Sequence, residues 1–183
     1  RMTAKTKPDG RTIRYYYDAA GRLVERRYPN NTINRFAYDQ NGNLTAASNA
    51  WIAYYYSYDA AGRMTGVTDS KLRTFDYTYD AAGNRLSMKS PDGATTTYSY
   101  DDAGRLKRIS NYNGNHDFAY DDAGRRTQLT FPNGAKATYT YDKNGNLKQI
   151  KHAKGYFTIA TIGYSYDPIN NRLTRTQSGN DAA

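Results

Sequence analysis

Residues able to move protons or hold metals are scarce in this chain. Its 183 residues include two histidines, His116 and His152, one glutamate, Glu25, and no cysteine. The missing thiols exclude disulfides, thiolate nucleophiles, iron–sulfur clusters and cysteine-ligated zinc. His116 and His152 stand far apart with no serine, carboxylate or metal-ligand constellation around them, and both read as loop residues. Aspartate is plentiful, and the adjacent pairs Asp101-Asp102 and Asp121-Asp122 raise calcium binding or acid–base work. Neighbours in a strand or tight turn point apart, however, whereas a hard cation needs several converging oxygens and a glycosidase needs two carboxylates facing each other across a cleft. The sequence therefore assigns no catalytic residue, no cofactor and no metal, and the expectation is that the protein is not an enzyme. The aspartates read as turn caps.

What organises those aspartates is one short word repeated from end to end. Tyr-Asp-x-x-Gly stands at Tyr17-Asp18…Gly21, Tyr38-Asp39…Gly42, Tyr58-Asp59…Gly62, Tyr79-Asp80…Gly83, Tyr100-Asp101…Gly104, Tyr120-Asp121…Gly124 and Tyr141-Asp142…Gly145. A degenerate eighth copy, Tyr166-Asp167-Pro168-Ile169-Asn170, has Asn in the glycine position. The intervals between successive tyrosines are 21, 20, 21, 21, 20, 21 and 25 residues. Between the copies lies a second word: Pro8-Asp9-Gly10, Pro29-Asn30-Asn31, Pro91-Asp92-Gly93 and Pro132-Asn133-Gly134. Both words are turn chemistry. Pro presets φ, Asp or Asn accepts backbone N–H groups a few residues on, and Gly takes the left-handed conformation that closes the loop.

Two chain reversals per period leave two extended segments of about seven residues each, a normal strand length at ~3.3 Å per residue. Segments such as Thr95–Tyr100 and Ala137–Tyr141 are β-branched and aromatic with period-two alternation, and no long helical pattern competes with them. The fold class is therefore all-β, an antiparallel meander of tandem hairpins. A second aromatic precedes each repeat tyrosine by two positions: Tyr15, Phe36, Tyr56, Tyr77, Tyr98, Phe118, Tyr139 and Tyr164. Each pair shares a face, and rows of such pairs should stack across the sheet. A three-residue loop places Tyr17 opposite Leu23, Tyr58 opposite Met64 and Tyr100 opposite Leu106. Apolar residues also recur nine positions after the tyrosine (Val67, Met88, Ile109, Leu129, Ile150), with the opposite parity. Either a bulge between the two positions or a sheet with apolar residues on both faces accounts for that.

Leu, Ile, Val and Phe together number only 23, and the chain carries a net charge of +9. That profile alone would suggest disorder. Twenty tyrosines supply the missing buried area, because each carries a large apolar ring behind its hydroxyl. The apolar stretch Tyr156–Ile162, which lengthens the last interval, reads as an inserted core strand, and Trp51 as a core or strand-face residue. The stretches 65–71 and 151–155 lack the proline word and read as other hairpin loops. Residues 1–183 form one array with no domain boundary and a frayed tail at 177–183. No apolar run approaches the roughly 18 residues of a membrane span. The chain opens at Arg1 without a signal-peptide core and reads as an excised piece of a larger protein.

These words, above all Tyr-Asp-Ala-Ala-Gly-Arg-Leu at 17–23 and Pro-Asp-Gly at 91–93, resemble the YD repeats of the RHS family, over residues 6 to 176. Similar repeats occur in the B and C components of insecticidal toxin complexes and in teneurins. The resemblance implies a sheet that spirals into part of a hollow shell around a C-terminal toxin, held until delivery. It implies a bacterial protein, secreted or displayed at the cell surface as part of a larger polypeptide. Its partners would be the toxin domain of that polypeptide and neighbouring repeats. The self-cleaving core segment that follows the repeats in the family has no counterpart here, so self-cleavage falls on no residue of this chain.

Arg or Asn follows each turn glycine. Arg22, Arg63, Arg105 and Arg125 would form a column along one rim that closes the loops. As an alternative, with neighbouring tyrosines, the column could grip a cell-surface glycan or a polyanion. The basic residues are spread through the chain and no nucleic-acid module is recognisable, so nucleic acid is not expected as a partner. Open sheet edges present unpaired N–H and C=O groups, and self-association through them is a further expectation.

Overall fold

Strand formation follows directly from the alternation of rings with Ser, Thr, Ala and Arg. The computed structural model describes residues 1–179, and they hold no helix. The strands fall into two compact units, Arg1–Ala94 and Thr95–Ala183. In the first unit the strands are β1 (Ala4–Thr6), β2 (Thr12–Tyr17), β3 (Leu23–Arg27), β4 (Ile33–Tyr38), β5 (Leu44–Ser48), β6 (Ala53–Tyr58), β7 (Met64–Asp69), β8 (Thr74–Tyr79) and β9 (Arg85–Lys89). In the second they are β10 (Thr95–Tyr100), β11 (Leu106–Asn111), β12 (Gly114–Tyr120), β13 (Arg126–Thr130), β14 (Ala135–Tyr141), β15 (Leu147–Lys154), β16 (Phe157–Tyr166) and β17 (Arg172–Gly179). Within each unit every strand pairs antiparallel with the next. This is the all-β meander of hairpins that the repeat predicts. A strip in which each strand touches only its neighbours can be divided at any turn, and here the boundary falls just after Pro91-Asp92-Gly93.

The register settles the parity question. Tyr17 faces Leu23, Tyr58 faces Met64 and Tyr100 faces Leu106, as the loop length requires. One pair further from the turn, the register shifts. Tyr58 is opposite Met64, but Ser57 is opposite Gly66, so Thr65 is an extra residue and Tyr56 meets Val67. The same shift occurs in all eight repeats, leaving Val24, Thr45, Thr65, Leu86, Lys107, Thr127, Lys148 and Leu173 as the bulged residues. A one-residue bulge reverses parity, so the residues six and nine after each tyrosine share the aromatic face.

A sheet of this kind has little interior. All sixteen paired aromatics are half-buried, with exposed residues between them such as Ala37, Ser57, Thr78 and Ser99. Among the described residues only Ile13 and Ala137 are buried hydrophobic positions, and Asp69 is the one buried charged group. Several sequence expectations fail here for that reason. Trp51 is 75 % exposed at a loop tip, because Asn49 caps the turn that carries it through the N–H groups of Trp51 and Ile52. His116 and His152 lie within β12 and β15, not in loops. The stretch Tyr156–Ile162 begins at a hairpin tip and enters β16, with Tyr156, Phe157 and Ile159 facing solvent instead of a core. Residues 177–179, expected to fray, complete β17; residues 180–183 of that tail lie outside the described residues.

Candidate functional site

The repeated turn is the densest polar arrangement in the chain. Each begins at an aspartate whose backbone N–H donates to the carbonyl four residues on, at 2.9–3.0 Å, while the glycine N–H donates back to the aspartate carbonyl at 2.8–3.2 Å. This holds for Asp18/Gly21, Asp39/Gly42, Asp59/Gly62, Asp80/Gly83, Asp101/Gly104, Asp121/Gly124 and Asp142/Gly145, and for Asp167 with Asn170. The carboxylate then clasps the closing residue twice. In the Asp59 turn, Oδ1 accepts from the Arg63 backbone N–H at 2.9 Å and Oδ2 from Arg63 Nε at 2.7 Å. Arg22, Arg105 and Arg125 repeat that geometry, and Asn43, Asn84, Asn146 and Asn171 reproduce it with Nδ2. The donated N–H groups stabilise the charged carboxylate, so these groups ionise below the usual aspartate range. For Asp59 the Arg63 backbone N–H is the largest cause, followed by the Arg63 side chain; for Asp39 and Asp80 it is the amide of Asn43 and Asn84.

The repeat tyrosines do not serve their own turns. Each ladder between a bulged strand and the following strand stops two residues short of the rim; β7 and β8, for example, end their pairing at Gly66 and Asp76. The Met64 carbonyl beyond that point accepts the Tyr79 hydroxyl at 2.8 Å. Tyr38, Tyr58, Tyr120, Tyr141 and Tyr166 donate in the same way to the carbonyls of Leu23, Leu44, Leu106, Arg126 and Leu147, at 2.8–3.0 Å. Tyr17 donates to Met2. The phenol thus replaces a missing ladder bond and ties one hairpin to the one before it. Burial raises the Tyr58 phenol above its ordinary value, which keeps the hydroxyl a donor.

Arginine adds a second tie, reaching the opposite way, to the hairpin that follows. Besides holding Asp18, Asp59 and Asp101, Arg22, Arg63 and Arg105 donate through Nη1 to the carbonyls of Asp39, Asp80 and Asp121, at 2.7, 2.6 and 3.1 Å. Their guanidinium groups lie 4.9–5.0 Å from the rings of Tyr38, Tyr79 and Tyr120, and that of Arg125 lies 4.6 Å from the Tyr141 ring. The structure therefore brings Tyr, Asp, Gly and Arg together across two successive repeats. The guanidinium groups are already engaged by carboxylates, backbone carbonyls and tyrosine rings, which does not favour a glycan grip.

Sequence reasoning missed a second set of arginines. Arg26, Arg85, Arg126 and Arg172 take positions six or nine after a tyrosine, where the pattern is otherwise largely apolar, and lie over Tyr15, Tyr77, Tyr139 and Tyr164 at 4.4–5.8 Å. The signal was present in their spacing. It also missed a copy of the aspartate turn at the opposite rim: Asp69 accepts from the backbone N–H and Nε of Arg73, with Leu72 in the glycine position. The proline turns use the same backbone closure, with the cap moved two positions along, as where Asp9 and Asp92 hold the N–H of Arg11 and Ala94. Asp102 and Asp122 lie exposed beside the capping residues, and no three His, Asp or Glu side chains converge on a metal-sized site among the described residues.

Set against known proteins, residues 47–180 match the description of the teneurin YD-shell. The chain belongs to that family. Residues 1–33 of this YD-shell chain also match the RHS repeat. Among solved structures, the fold is similar to one in the TcdB2–TccC3–Cdc42 crystal structure, with a TM-score of 0.77 and 20% identity over 91% of this chain and 10% of that one. The Tc holotoxin pore of Photorhabdus luminescens gives the same values. The TcdB2–TccC3 structure without its hypervariable C-terminal region aligns with a TM-score of 0.64 and 15% identity, over 95% and 12%. The YD-shell chain thus spans about a tenth of these relatives. No curated protein matches it in sequence. No helix among the described residues is long and apolar enough to cross a membrane.

Proposed function

We propose that this chain is a wall segment of a toxin-holding YD shell, exported as part of a larger bacterial polypeptide and without enzymatic activity of its own. The observation that carries the reading is the inter-repeat tie. A hydroxyl and, in alternate repeats of the first unit, a guanidinium reach from one hairpin to the backbone of another, so the same bonds extend the sheet one hairpin at a time. Such a wall gains nothing from acid–base groups, and the aspartates are consumed in holding its rim. Family membership and likeness of fold to the Tc component support the same conclusion.

The test uses the full-length polypeptide that carries the array. Its segment following the repeats should resist protease for as long as the wall is intact. Tyr79→Phe combined with Tyr120→Phe should shorten that protection markedly. A following segment cut as fast as an isolated, unfolded peptide would contradict the container role.

A further inference from the structure

The two rims of the sheet differ in what they show to solvent. At the Tyr-Asp rim the turn tips are small or polar, such as Ala60-Ala61, Asp102-Ala103 and Lys143-Asn144, and Ile169 is the one large apolar residue at a turn tip there among the described residues. At the other rim, every turn that lacks the proline word carries a large apolar tip. In the first unit these are Trp51, 75 % exposed, and Leu72, 86 % exposed, on the adjacent β5–β6 and β7–β8 turns. In the second unit they are Tyr112 at the β11–β12 turn, and Tyr156 and Phe157 at the β15–β16 turn, each at least 80 % exposed.

Leu72 makes the display more than incidental. It holds φ at 63°, and every other described residue in that left-handed region is Gly or Asn. A leucine costs stability there, so the position favours an apolar side chain in water over an unstrained turn. Charge points the same way. Lys71 and Lys154 flank the apolar tips, and the carboxylates of this rim are engaged locally: Asp9 with Arg11, Asp69 with Arg73 and Asp92 with Ser90. The whole chain is basic, at +9.

We propose that this rim is a docking surface for an anionic lipid bilayer, each unit presenting its own tips. Trp and Tyr, apolar behind a polar end, settle at the headgroup boundary. Lysines beside them meet the negative surface potential. The sheet does not cross the bilayer; the tips enter its interface.

Trp51 is the chain's one tryptophan, so its fluorescence reads the first unit directly. With vesicles of phosphatidylcholine and phosphatidylglycerol its emission should shift to the blue and the protein should pellet. Phosphatidylcholine alone should give neither. Lys71→Glu with Lys154→Glu should weaken pelleting by roughly tenfold or more. Tyr156→Ser with Phe157→Ser should weaken it while circular dichroism stays unchanged, because both side chains stand clear of the sheet. Absence of pelleting, equal pelleting without phosphatidylglycerol, or pelleting that survives in folded tip variants would overturn the proposal. So would self-association of the vesicle-free chain that the tip variants abolish, which would make the rim a contact between copies.

Discussion

An aspartate that accepts an N–H and a guanidinium within one five-residue loop is more stable ionised than protonated. Several turn carboxylates, those of Asp18, Asp59, Asp101 and Asp121 among them, therefore ionise below the ordinary value, the backbone N–H of the closing arginine being the first cause in each. Their contribution is fully present above the unfolded aspartate value of about 3.9 and disappears as pH falls through the lowered native values. Circular dichroism against pH should show a folded chain at neutral pH that loses its sheet only below about pH 4, and an unfolding step near pH 6 would contradict the clasps. Backbone strain belongs to the same scale. Gly83 holds φ at 90° with open space where a Cβ would sit, so Gly83→Val isolates the conformational cost. Denaturant unfolding should register a loss of about 1–3 kcal/mol. Leu72→Gly should act in the opposite sense, with a gain of roughly 1 kcal/mol. These turns were legible from Tyr-Asp-x-x-Gly alone, because turn chemistry is local. The Leu72 turn was expected as a loop over 65–71 and falls instead at 69–73, since leucine carries no turn signal and only the Asp69–Arg73 spacing marks the place.

For the hairpin, the decisive feature is a single extra residue. The bulge after each turn turns the residues six and nine after the tyrosine to one face; the clash of parity pointed to a bulge or to two apolar faces, and nothing chose between them because the bulged residues Val24, Thr65, Lys107 and Leu173 share no chemistry. Deleting Thr65 should move Val67 to the polar face and cost far more than Thr65→Ala, which removes only a side chain; thermal melts of the two variants make the comparison, and equal melting points would contradict the register. The tyrosine tie was equally hidden, as its acceptor is a backbone carbonyl. Tyr79→Phe keeps the ring and removes only the bond to Met64, so it should cost about 1 kcal/mol in denaturant unfolding. What could be read in advance was the shared face of the paired rings and the cross-strand tyrosine–leucine contacts. Those follow from strand periodicity and loop length, whereas which rings face a core depends on layers that a single sheet does not have. That is also why Trp51 and Tyr156 stand in water.

Across the chain, the same side-chain ties recur from hairpin to hairpin, and stability should propagate through them as it does in other one-dimensional repeat arrays. The container reading depends on that propagation, since a wall whose hairpins were independent would open at any one of them. Native-state hydrogen exchange on the Tyr79→Phe variant tests it most directly. Loss of the hydroxyl should lower amide protection in the preceding β6–β7 hairpin as well as in β8 and β9. Loss of protection confined to β8 and β9, or no change at all, would contradict it.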